Sequence, residues 1–256
     1  MSKLPRGPSS SLELDLQMAE RVYTSLLPKH VTTSGVDVVT RLQPFNQIGG
    51  DYAAVFESLD GRVHVCVSDV TAHGIASALL STRVNSFVRE RLPSANHPCE
   101  IVEELNSFLC ENFGGLGMAL SFFCGTVDRH RMEFAYAGCG HPPALHFQAS
   151  AGTKWKRLDS RHTLLGLFPE VSQQCRIDKA PLDRGDRILL YTDGLTEARN
   201  ARGDLFGIDR LARVVGSCMT EKLEGELLAD RVFAATDRFQ GGVCRDDALL
   251  MIVSVQ

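Results

Sequence analysis

From Val36 onward, apolar and polar residues alternate in short runs, "VDVVTRLQP", "YAAVFESLDG" and "RVHVCVSDV". That two-residue period belongs to strands with one buried face. Asp60-Gly61 predicts a hairpin turn between the last two runs. Upstream, "SLELDLQMAERVYTSLLP" places Leu12, Leu16, Ala19, Tyr23 and Leu26 at helical spacing, and Pro28 ends the pattern. Two more helices are expected, over "GIASALLSTRVNSFVRERL", with Ile75, Leu79, Val84 and Val88 as its apolar side, and over "PCEIVEELNSFLCENF". "MALSFFCGTVD" and "RMEFAYAGCGHPPALHF" read as a strand pair turning at "RHR". A strand "DRILLYTDG", helices around "GIDRLARVVGSC" and "LEGELLADRVFAATDRF", and a strand "DALLMIVSV" complete the order. Strands, two helices, strands, then helices and a last strand predict an α+β fold with antiparallel sheets rather than alternating βαβ units. No repeat or linker divides the later chain. The expected organisation is a disordered tail and helix over residues 1–29, then one domain over 30–256.

One strand breaks its own pattern. Val63, Val65 and Val67 face one way, and the next residue on that face is Asp69. A carboxylate directed inward must be paired, protonated or holding a metal, because an isolated buried charge is costly. Other expected strand ends also carry acids: Asp51 follows Gly49-Gly50, Asp193 precedes Gly194, and Asp246-Asp247 opens the last strand. Two carboxylates about 4 Å apart repel by roughly 4 kcal/mol at an effective dielectric near 20. A convergent set would therefore need protons or cations, and hard ions such as Mg²⁺ or Mn²⁺ suit oxygen donors. No Cys or His stands at metal-ligand spacing, which disfavours Zn²⁺. Each Asp could instead cap a turn or helix, and strand-end spacing alone does not decide.

Composition narrows the classes. Of 256 residues, 44% are hydrophobic and 23% charged, ordinary values for a globular chain. A formal net charge of −4 argues against a nucleic-acid surface. No apolar run approaches the roughly 20 residues of a membrane span, and "MSKLPRGPSSS" lacks a signal peptide's apolar core, so a cytoplasmic protein without membrane contact is expected. The eight cysteines form no CxxC pair and are expected as reduced thiols. There is no Cys-x5-Arg loop of a cysteine-dependent phosphatase.

The ordered set "LLP", "GGDY", "DVTAHGIASALL", "AGCGHPP", "LDRGDRILLYTDGLTEARNARGDLFG" and "RDDALLMIV" resembles the bacterial SpoIIE-like branch of the metal-dependent type-2C protein phosphatases, the PPM superfamily. The resemblance runs from about Leu26 to the C-terminus. It implies a four-layer αββα sandwich of two antiparallel sheets flanked by helices, with two divalent ions, Mn²⁺ or Mg²⁺, at one edge. By resemblance Asp69 is the bridging ligand, the Val70 carbonyl lies beside it, Asp51 serves the first ion, and Asp193 and Asp246 close the second; Asp247 is the alternative to Asp246. The implied reaction is direct hydrolysis of phosphoserine or phosphothreonine by a metal-activated water, with no covalent phosphoenzyme. The implied substrate is a small STAS-type anti-anti-sigma protein in a partner-switching pathway. Regulation would come from an upstream sensor or activator, or from homodimerisation through the Leu12 to Leu26 helix.

Departures from the pattern are Thr71 and Ala72 in place of a Ser-Gly pair, and Leu249 in place of a hydroxyl-bearing residue. They leave a competing possibility, a phosphatase-like module that binds its partner with little or no turnover. His73 could shuttle a proton or contact phosphate, but a structural role is expected. His141 is expected to fix a turn. Arg199 and Arg202 are expected in a solvated loop.

Overall fold

The computed structural model describes residues 9–33, 35–46, 48–71, 74–170 and 175–256, with side chains from residue 13 onward. Helix α1 (Ser9–Ser25) leads into β1 (His30–Thr33), β2 (Val36–Gln43), β3 (Tyr52–Glu57) and β4 (Val63–Val70). Helices α2 (Ile75–Arg91) and α3 (Pro98–Phe113) follow, then β5 (Leu120–Asp128), β6 (Glu133–Cys139), β7 (Ala144–Phe147), β8 (Trp155–Leu158), β9 (Asp178–Pro181) and β10 (Arg187–Tyr191). The one-turn α4 (Asp193–Thr196), α5 (Gly207–Thr220), α6 (Gly225–Gln240) and β11 (Ala248–Val255) end the chain. The short β1, β8 and β9 lack a strong apolar alternation and were not expected from the sequence pattern.

Among the described residues the strands form two antiparallel sheets, ordered β1-β2-β11-β10-β7-β8 and β3-β4-β5-β6-β9. Three cores separate four layers. Val63, Val65 and Val67 of β4 meet Leu249, Met251 and Val253 of β11 between the sheets. Leu80, Val84 and Val88 of α2 and Leu105 of α3 cover the outer side of the five-stranded sheet. Leu211 and Val215 of α5 and Val232 of α6 cover Leu250 and Ile252 on the other. Strand β11 thus buries both faces over residues 248–253, which form an unbroken apolar run rather than an alternation. This is the αββα sandwich.

Two expectations fail. Ile75 and Leu79 are exposed, while α2 buries Ser77, Ala78, Leu80, Ser81, Val84, Asn85 and Val88. The reason is close approach: a Cβ built at Gly50 would lie 3.3 Å from Ser77 Cβ and 3.2 Å from Val70 Cβ, so only small residues fit where the first turns of the helix meet Gly50. The cysteines are also not all free thiols. Cys99 of α3 and Cys175 form a disulfide across a sequence separation of 76, and Cys66, Cys110, Cys124, Cys139, Cys218 and Cys244 remain free. Such a pairing is created by the fold and leaves no mark in local spacing.

Candidate metal centre

The antiparallel register gathers the acids. Tyr52 pairs with Ser68, so Asp51, just before β3, lies beside Asp69, near the end of β4. Tyr191 pairs with Leu250, so Asp193, just after β10, lies near Asp246 and Asp247, just before β11. In an antiparallel pair the end of one strand adjoins the start of its neighbour. Both sheets therefore bring their acids to the same edge. Asp69 continues the valine face of β4, which looks into the space between the sheets.

Thr192 ties the two halves together. Its Oγ1 donates to Asp51 Oδ2 at 2.7 Å and accepts the Leu249 N–H at 2.9 Å, while its own N–H donates to the Leu249 carbonyl at 3.1 Å. The Asp51 and Asp69 carboxyls lie close enough to act on each other's ionisation. Burial and then the Asp69 charge push Asp51 well above the usual carboxylate range, against the Thr192 hydrogen bond. Asp69 is pushed up to about 7 by burial and by Asp193, Asp246 and Asp247. Burial, Asp246 and Glu197 likewise raise Asp193. Charges so arranged resist simultaneous ionisation unless a cation offsets them.

Asp247 is used differently from its neighbour. Its Oδ1 accepts the Phe45 N–H at 2.8 Å and its Oδ2 accepts the Gly50 N–H at 3.0 Å. A Cβ on Gly49 would fall 2.0 Å from Asp247 Oδ2, and one on Gly194 would fall 1.9 Å from the Asp247 carbonyl oxygen. Glycine at both positions thus allows the main chain to close around Asp247. Asp246 sits on a cavity of about 150 Å³ shared with Gly194, Glu197, Arg199, Gln240 and Arg245.

The remaining candidates lie around this edge. The Thr71 hydroxyl donates to the Ala119 carbonyl at 2.9 Å and accepts the Ala119 N–H at 3.2 Å, pinning the turn after Val70. Ala72 and His73 lie outside the described residues. His141 is buried, its Nδ1 is 2.8 Å from Ser121 Oγ, and burial pushes its imidazole down to about 3. Ser160 Oγ donates to the His141 carbonyl at 2.7 Å, so this residue stitches loops to β5. Leu249 is fully buried between the sheets. Arg199 donates to the Gly203 carbonyl at 3.3 Å, and the Arg202 N–H to Asn200 Oδ1 at 2.9 Å, in an exposed turn. The sequence pattern places Tyr23 only on the apolar stripe of the first helix and does not single out Thr192, whose one signal is its place in "YTDG".

A family model described as Stage II sporulation protein E (SpoIIE) matches residues 59–256. The chain belongs to the SpoIIE family. Among curated relatives, phosphoserine phosphatase RsbU of Bacillus subtilis is 25% identical over 202 residues, covering 78% of this chain and 58% of RsbU. The chain therefore spans little more than half of that relative's length. Among solved structures, the SiaA-PP2C domain of Pseudomonas aeruginosa superposes with a TM-score of 0.79 at 20% identity, over 96% of this chain and 98% of that one. RsbX, crystallised in complex with magnesium, superposes with a TM-score of 0.66 at 12% identity, over 89% of this chain and 99% of its own. The SpoIIE-family chain thus has the PP2C-type sandwich, and its acids occupy one edge of that fold.

Proposed function

We propose that this chain is a metal-dependent protein phosphatase that hydrolyses phosphoserine or phosphothreonine on a folded regulatory protein of the STAS anti-anti-sigma type. The observation that carries the proposal is the gathering of Asp51, Asp69, Asp193 and Asp246 at one edge of the sandwich, where strand register and the Thr192 hydrogen bonds join the two sheets. Membership of the SpoIIE family and the likeness to a phosphoserine phosphatase support it.

The donor set suits two hard divalent ions, Mn²⁺ or Mg²⁺. Asp51, Asp69, the Val70 carbonyl, Asp193 and Asp246 would hold them, all through oxygen. Among the described residues, no three Asp, Glu, His or Cys side chains already form a ready metal cluster. Each ion would accordingly take one or two carboxylates with carbonyl and water oxygens, the usual habit of Mg²⁺. Bound ions would supply a water activated near neutral pH and charge to offset the phosphoryl oxygens. The chain's own contribution is placement. Thr192 fixes the Asp51 carboxyl, Thr71 anchors the chain beside the Val70 carbonyl to Ala119, and Asp247 uses both oxygens on the N–H groups of Phe45 and Gly50. Asp246, whose Oδ1 accepts the Asp247 N–H at 2.9 Å, lines the cavity beside Gly194 and Glu197 and is the better placed metal ligand of the pair.

Phosphate release from a phosphoserine protein is expected to require Mn²⁺ or Mg²⁺ and to be abolished by Asp69→Asn or Asp193→Asn. Full turnover in excess chelator, or in either variant, would contradict the proposal. Faster release from the folded phosphoprotein than from a short phosphopeptide is expected if a protein surface is recognised.

Homodimerisation through α1 is part of the same proposal, as is control by an upstream sensor or activator. While Leu16, Ala19 and Tyr23 pack on the domain, Leu14, Met18 and Val22 form a second stripe, each about 60% exposed. A helix with apolar residues on two sides has one side to offer a partner.

A further inference from the structure

We propose that Tyr23 is a positioning residue of the metal centre, fixing the main chain at Asp51 so that helix α1 is part of the cation-binding apparatus. This rests on the acidic edge being a cation site.

The Tyr23 hydroxyl donates to the Asp51 main-chain carbonyl, across 28 residues of sequence and in a buried setting. The ring is 5% exposed and packs with Ile48, Ala78, Leu16, Ala19 and Leu42 in a small cluster apart from the three main cores. The preceding carbonyl, that of Gly50, accepts a hydrogen bond from Ser81 of α2, and the Gly50 N–H donates to Asp247. Three elements distant in sequence thus hold two consecutive residues. At the other end of Asp51, Thr192 holds the carboxyl. The carboxyl is fixed from the sheet side and the backbone from the helix side, and only Tyr23 links α1 to that backbone among the described hydrogen bonds.

Packing alone does not require this hydroxyl. A phenylalanine would fill the same apolar cluster. The phenol instead reaches the carbonyl of a residue whose carboxyl direction depends on its backbone. Groups that orient metal ligands affect cation affinity without touching the ion.

The test uses the full chain and measures Mn²⁺ binding through the electron paramagnetic resonance signal of free Mn²⁺, which needs no turnover. Tyr23→Phe is expected to bind Mn²⁺ about three- to tenfold more weakly than wild type. Leu228→Ala, a core change in α6, controls for loss of stability and is expected to leave affinity unchanged. Asp69→Asn is expected to lose tight Mn²⁺ binding. Wild-type affinity in Tyr23→Phe, with binding lost in Asp69→Asn, overturns the role of Tyr23 and leaves the cation site intact. Equal weakening in Leu228→Ala also overturns it, since the effect would then be one of general stability. If the wild-type chain takes up no Mn²⁺, the cation site fails and this inference with it.

Discussion

Thr192 shows how much one hydroxyl can organise. It has no exposed surface, donates a hydrogen bond to Asp51 and accepts one from the Leu249 N–H. Thr192→Val keeps the shape but leaves two buried polar groups short of a partner. The expected cost is about 1–3 kcal/mol in chemical denaturation, together with slower phosphate release. A change confined to stability, with turnover intact, would show that the hydroxyl does not orient Asp51 for the reaction. The acids themselves set a pH dependence. Asp69 is raised from the ordinary carboxylate range to about 7, and Asp51 and Asp193 are raised as well. Between about pH 4 and 7 the folded chain therefore holds more protons than the unfolded chain, so metal-free stability falls as pH rises through that window. Thermal melting without metal should decline from pH 4 to 7, and added Mn²⁺ should raise the midpoint more at pH 7 than at pH 5, where protons compete for the same oxygens. A flat profile without metal would mean that the acids do not share one low-dielectric pocket.

At the scale of elements, the loop before β3 and the start of β11 are interlocked. Gly49 leaves room for the Asp247 carboxylate, which receives the N–H groups of Phe45 and Gly50. Gly49→Ala would drive a methyl group into that carboxylate and break the pair of hydrogen bonds, for an expected loss of about 2 kcal/mol or more. The loss should shrink in an Asp247→Ala background, because the atom that clashes is gone. Urea unfolding of the single and double variants measures this coupling; strict additivity would show that the two residues act independently. The same scale explains the reading of α2. Its helical period is legible in the sequence, but its buried side is not the one richest in large apolar residues. The helix leans on Gly50 and Val70, and a close backbone approach selects Ser77, Ala78 and Ser81 over Ile75 and Leu79. Hydrophobic pattern ranks faces by transfer energy and carries no information on how near the neighbour will come.

Across the whole molecule, helix α1 packs one apolar side on the sandwich and exposes another. One side carries Tyr23 to Asp51, and the other leaves Leu14, Met18 and Val22 in solvent. If that outer stripe joins two copies, Met18→Lys should reduce the dimer fraction in sedimentation equilibrium while leaving the fold unchanged. A wild-type chain that stays monomeric at high concentration would remove the dimer from the proposal. No helix among the described residues is long and apolar enough to cross a membrane. The sequence by itself determined the strand and helix order, the α+β class, and the inward turn of Asp69, because a period of two assigns each side chain to a face. Its motifs also carried the family. Tertiary structure decided what meets what: the pairing of Tyr52 with Ser68 and of Tyr191 with Leu250 brings the acids to one edge. It also decided the Cys99–Cys175 bridge, the hold of Asp247 on the N–H groups of Phe45 and Gly50, and the reach of Tyr23. Local periodicity records which way a side chain points, whereas these contacts join segments from 16 to about 200 residues apart, and only the folded arrangement of sheets and helices fixes them.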